Sequence, residues 1–62
     1  MDKYEVLHMF RICFLAFLSA EDGSAEEDLY AGLAYDWENY ARAKGWHKEV
    51  TNIIADLTME EE

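Results

Sequence analysis

The sequence predicts an all-α fold in which three short helices, about 3–21, 25–44 and 46–58, form a small bundle completed by dimerisation. Three observations carry this prediction. Apolar residues recur at helical spacing in all three segments rather than alternating. Proline is absent while alanine, leucine and glutamate are plentiful, a mixture that favours helix. Stop and start signals, built on Gly23 with Ser24 and on Gly45, stand at the two internal boundaries.

The first helix contains "LHMFRICFLAFLSA", Leu7 to Ala20, with Arg11 as its single charge. At about 100° per residue, Val6, Leu7, Phe10, Cys13, Phe14, Phe17 and Leu18 share one broad face, flanked by Tyr4 and Leu15. The opposite side carries Glu5, His8 and Ser19, but also Met9, Ile12 and Ala16. A helix apolar over most of its circumference is normally surrounded by protein on several sides. Neither a membrane span nor an export signal explains the run. A span needs about 20 apolar residues, whereas Leu7–Leu18 is shorter and holds Arg11. A signal peptide needs a positive start and small residues before its cleavage site. Here Asp2 and Glu5 offset Lys3 and Arg11, and Leu18 stands where a small residue belongs.

Gly23 suits the position just past a helix end, because glycine reaches the left-handed region without steric cost. Ser24 and Glu27 then form an S-x-x-E capping box, with Glu26, Glu27 and Asp28 in the first turn, where the helix dipole favours negative charge. The second helix presents a stripe of Leu29, Tyr30, Leu33, Trp37, Tyr40 and Ala41, with Glu38 and Arg42 at ion-pair spacing on another face. The third repeats Trp46, Val50, Ile53, Ile54 and Leu57. Carried straight through Gly45, the two stripes fall on different sides of one helix, so a turn at Gly45 is expected. The whole chain, 1–62, reads as one helical domain with residues 59–62 as a frayed acidic tail.

Size and charge narrow the function. A chain of 62 residues is a marginal domain, since one this small buries only about 60% of its unfolded surface. Cys13 is its single cysteine, so no internal disulfide can help, and a reduced, buried thiol in a cytoplasmic setting is expected. Two short amphipathic helices cannot cover all of the first, so a homodimer is the expected remedy. Fourteen acids against five bases, net −9, disfavour direct nucleic-acid binding and anionic membranes, and favour basic partners or simple solubility.

No chemistry-bearing motif emerges. With Gly23 placed sixth in a calcium loop, Leu18, Ala20 and Leu29 occupy ligand positions, so the acidic cluster Glu21–Asp28 reads as capping. His8 and Cys13 diverge on the helix, and His47 lies in another segment, so neither a nucleophile–base pair nor a metal site is expected. No cofactor or enzymatic activity is expected either. "RAKGWHK", Arg42–Lys48, gathers bases around a turn, but the helix after it offers Glu49, Thr51, Asn52 and Asp56, poorly suited to reading DNA. Arg11 sits within the apolar face and should pair across helices or subunits. The expected dimer or partner interface is Leu7, Phe10, Arg11, Phe14, Phe17 and Leu18, and the expected outer-surface contacts are Tyr35, Trp37 and Glu38.

The stretch "YEVLHMFRICFLAFLSAEDGSAEEDLYAGLAYDWENYARAKGW", Tyr4–Trp46, resembles the small acidic accessory proteins encoded in the recombination–excision region of lambdoid phages. The resemblance implies an early-expressed helical protein in the bacterial host cytoplasm. Such a protein would modulate host physiology or prophage development by binding host or phage proteins. It carries over no functional residues. The expected function is therefore non-enzymatic protein–protein interaction, and the alternative is an acidic DNA mimic that blocks a host DNA-binding protein.

Overall fold

A computed structural model describes residues 2–59 and shows three α-helices, with no strand among the described residues: α1 Lys3–Ser19, α2 Ala25–Ala43 and α3 His47–Thr58. The all-α expectation holds. Met59 caps α3, and the rest of the expected acidic tail, Glu60–Glu62, lies outside the described residues.

α1 opens with a capping box that the sequence reading passed over. Asp2 Oδ1 accepts from the Glu5 N–H at 2.9 Å, and the Asp2 N–H donates back to Glu5 Oε1 at 3.2 Å. The helix ends at Ser19, two residues before the expected limit, because Ala20 is extended and its N–H turns back to the Phe17 carbonyl. Gly23 is consequently not the end of α1. With φ +77° it shapes the turn Glu21–Ser24, closed by the Ser24 N–H on the Glu21 carbonyl at 3.1 Å. Ser24 Oγ does cap α2 through the Glu27 N–H at 3.0 Å, but the returning Glu27 carboxylate takes the Gly23 N–H, at 2.7 Å, instead of that of Ser24.

α2 stops as expected. The Gly45 N–H donates to Arg42 O and the Trp46 N–H to Ala41 O, the paired bonds of a Schellman motif, with Gly45 at φ +86°. Trp46 therefore closes one helix and starts the next. It serves as the N-cap of α3 without a side-chain cap, rather than as its first helical residue.

The core is Val6, Leu7, Phe10 and Cys13 of α1, Ala34 and Ala41 of α2, and Val50 and Ile53 of α3, with Phe14, Trp37, Trp46, Ile54 and Leu57 packed against it. For α1 and α3 this matches the periodicity. For α2 it does not. Leu29, Leu33 and Tyr40 of the expected stripe are exposed, and the helix is rolled so that Ala34 and Ala41, seven apart, face inward. Small side chains let the α2 backbone approach the large ones of α1, and close approach gives α1 its most extensive packing partner.

Candidate functional site

The five-residue connection 20–24 returns α2 alongside α1 as a helical hairpin. Where α3 lies on this hairpin is set by a ladder on α1: Lys3, Leu7 and Arg11 are spaced four apart and so stand in one line. Lys3 Nζ bonds Glu49 at 2.5 Å, Leu7 is buried, and Arg11 donates to Asp56 Oδ2 at 3.2 Å. On α2, the residues beside α3 are Ala41, buried, and Arg42, whose guanidinium bonds Glu38 at 2.9 Å and lies 3.4 Å from the His47 ring. α3 thus covers one face of the hairpin and runs in the same direction as α1.

The least extent of the molecule is 15 Å across Cα atoms. Two helical layers, at 8–10 Å between axes plus a backbone radius of about 2.3 Å on each side, fill about that depth. The other face of the hairpin is covered by none of the described residues. Met9, Ile12 and Ala16 lie about 170° around α1 from the Lys3–Leu7–Arg11 line, at about 100° per residue. On α2, Leu29, Leu33 and Tyr40 share a face turned away from Arg42, on the same side of the hairpin. Ile12 is 45% exposed and Leu29 56%, with Met9, Leu33 and Tyr40 also exposed. These residues form the candidate site.

The residues expected at an interface are divided by the structure. Leu7 and Phe10 are consumed in the chain's own core, and Phe14 and Phe17 are half-buried, their rings stacked at 6.1 Å between centroids. Leu18, at 42%, is the one apolar member that is exposed. Arg11 meets Asp56 across helices of the same chain. Of the outer-surface set, Tyr35 is exposed, Trp37 packs partly on the core with its ring in a T-shaped arrangement with that of Tyr40, and Glu38 is engaged by Arg42. The residues that sequence reasoning missed, Met9, Ile12, Leu29 and Leu33, carried a signal nonetheless. Met9, Ile12 and Ala16 had been the unexplained apolar residues on the polar side of α1.

The Arg11–Asp56 pair joins side chains 42% and 67% exposed, and pairs this wet contribute about 0–1 kcal/mol. Arg11→Met should therefore change the unfolding free energy read from urea titration by less than about 1 kcal/mol in either direction. Lys3 and Glu49 are coupled more visibly. The hydrogen bond it donates to Glu49 holds the Lys3 ammonium above its ordinary range, and the same bond, helped by the Glu49 backbone N–H, holds the Glu49 carboxyl below its own. Glu49 thus stabilises the fold above the ordinary carboxylate range, and this is lost as pH falls through its lowered folded value. The Lys3 contribution is present below the ordinary amine range and is lost as pH rises through its raised value. Wild type should exceed Glu49→Gln in stability at neutral pH, and the gap should close in acid, read as urea midpoints across pH.

Burial pushes the Cys13 thiol up, away from the reactive thiolate. Among the described residues no three His, Cys, Asp or Glu side chains converge as metal ligands, and no helix is long and apolar enough to cross a membrane. Compared with protein-family models, curated proteins and solved structures, the chain matches none.

Proposed function

We propose that this chain is a non-enzymatic interaction protein that works through the uncovered face of its α1–α2 hairpin. The single observation that carries the reading is that face. Met9, Ile12, Leu29, Leu33 and Tyr40 are exposed on one side of a two-layer molecule, a contiguous apolar patch of the kind that marks association sites. The resemblance to accessory proteins of lambdoid phages supports a host or phage protein as the object of its action. The setting would be the bacterial cytoplasm and the outcome a change in host physiology or prophage development.

The test is site-specific photo-crosslinking in bacterial cells, with a photoreactive residue in place of Ile12 or Leu33, and in place of Tyr35 as a comparison. Discrete protein adducts at the first two positions are expected, and their masses identify what sits there. Free chain alone at both positions would overturn the proposal.

One observation favours a second reading, the acidic DNA mimic. No base occurs from Ile12 through Ala41, while Glu21, Asp22, Glu26, Glu27 and Asp28 cluster at the hairpin turn. Binding by a mimic should collapse as salt rises and on Glu→Gln changes at the turn. Binding through the apolar face should survive both.

A further inference from the structure

Given that the uncovered face is an association surface, we infer that its occupant is a second copy of this chain. The two hairpins pair antiparallel about a two-fold axis and leave both α3 helices on the outside.

The argument is the distribution of charge along the hairpin. Its closed end carries Glu21, Asp22, Glu26, Glu27 and Asp28 and no base. Its open end gathers four of the five bases: Lys3, Arg42, Lys44 and Lys48. Lys3 is engaged by Glu49 and Arg42 by Glu38. Lys44 lies over the Tyr40 ring, 5.6 Å from its centroid, at the end of the apolar face, and among the described residues it has no carboxylate partner.

Two-fold symmetry offers two ways to lay one such face on another. An axis along the hairpin sets closed end on closed end, five carboxylates against five. An axis across the hairpin sets the closed-end carboxylates of each copy toward the open end of the other, where Lys44 stands at the edge of the apolar face. Like charges brought together across an interface oppose association, and opposite charges fix its register. The antiparallel arrangement is the one this charge pattern permits. In it, α1 crosses its counterpart near Ile12 and α2 crosses its counterpart near Leu33, so Glu26 of each copy reaches the level of Tyr40 of the other, over whose ring the Lys44 ammonium lies. The chain supplies on a single face both the apolar surface and the cation that its own acidic end requires. That makes the face complementary to itself and sets a second copy ahead of a basic helix from another protein.

Sedimentation equilibrium of the full chain across a wide concentration range tests this, with helical content followed by circular dichroism for every variant. Wild type is expected as a dimer. Ile12→Glu and Leu33→Glu, on two different helices and both exposed within the chain, should each weaken the dimer by about a hundredfold or more, because each buries two unpaired carboxylates at the axis. Lys44→Glu should weaken it by about tenfold, and adding Glu26→Lys should restore it, since the exchanged pair meets again only when the copies are antiparallel. A wild type that stays monomeric, or a dimer that both apolar-face variants leave intact, overturns the inference. A dimer whose Lys44→Glu defect is not rescued overturns its antiparallel form. A monomer that gives photo-adducts with a different protein at Ile12 overturns the inference while leaving the association reading standing; a monomer giving none overturns both.

Discussion

Phe10→Ala should remove a large share of the chain's stability at room temperature. Phe10 is the largest of the fully enclosed side chains, 1% exposed, and it stacks on Phe14 at 5.7 Å between centroids. Removing a buried phenylalanine ring costs about 3–5 kcal/mol, the lost transfer energy plus the cavity left behind. At 0.05–0.15 kcal/mol per residue, a domain of this length holds about 3–9 kcal/mol in total. The deletion removes a third of that at the least and can remove all of it. Urea titration followed by circular dichroism, at one fixed protein concentration, reads the loss. Leu15→Ala is the comparison, since Leu15 is half-exposed and the substitution should shift the midpoint little.

Ala41→Leu should be nearly as damaging, although it adds apolar atoms to an apolar core. Ala41 is 0% exposed, and its carbonyl receives the Trp46 N–H at 3.0 Å, so the backbone beside it is fastened into the corner between α2 and α3. A larger side chain has no space to enter unless α2 moves off α1 or the corner opens. Overpacking of this kind costs about 1–3 kcal/mol, sometimes more. Ala43→Leu, two residues on and exposed, should be close to neutral. If thermal melts ranked the two variants the other way round, the inward roll of α2 would be wrong.

That roll is also where sequence and structure part. The order of the three helices and the bounds of α2 were legible because local chemistry states them: Gly45 closes α2, Ser24 caps it, and each segment has a helical period. The facing of α3 was legible too, since Val50 and Ile53 leave a single arc to bury. α2 has two adjoining arcs, Leu29–Leu33–Tyr40 and Tyr30–Ala34–Trp37–Ala41, and the expected stripe takes in all of the first with Tyr30, Trp37 and Ala41 of the second but leaves out Ala34. The structure buries the second. Alanine contributes little surface itself, but it lets α2 approach α1 closely, a benefit that appears only when both helices are considered together. The candidate site inherited that error. Once α2 turns its alanines inward, Leu29 and Leu33 turn out, and the site moves from the Leu7–Phe10–Phe14 face of α1 to the Met9–Ile12–Ala16 face. Arg11 was legible in kind, a cross-helix ion pair, though its partner Asp56 could not be read from spacing.

The uneven packing of the helices has a consequence for how the molecule opens. α1 packs far more extensively on α2 than α3 does on either, and α3 is held by two buried residues, two wet ion pairs and a corner without a side-chain cap. Regions with few buried apolar contacts exchange their amide hydrogens through openings smaller than global unfolding. The α3 amides should therefore exchange ahead of those at Phe10, Cys13 and Ala34, as one unit that swings about Gly45. Each such opening uncovers the Leu7 side of the hairpin while the hairpin itself stays closed. For a short time the chain then has two apolar faces instead of one, and a transient conformer of that kind sets how readily it can be remodelled by whatever it meets.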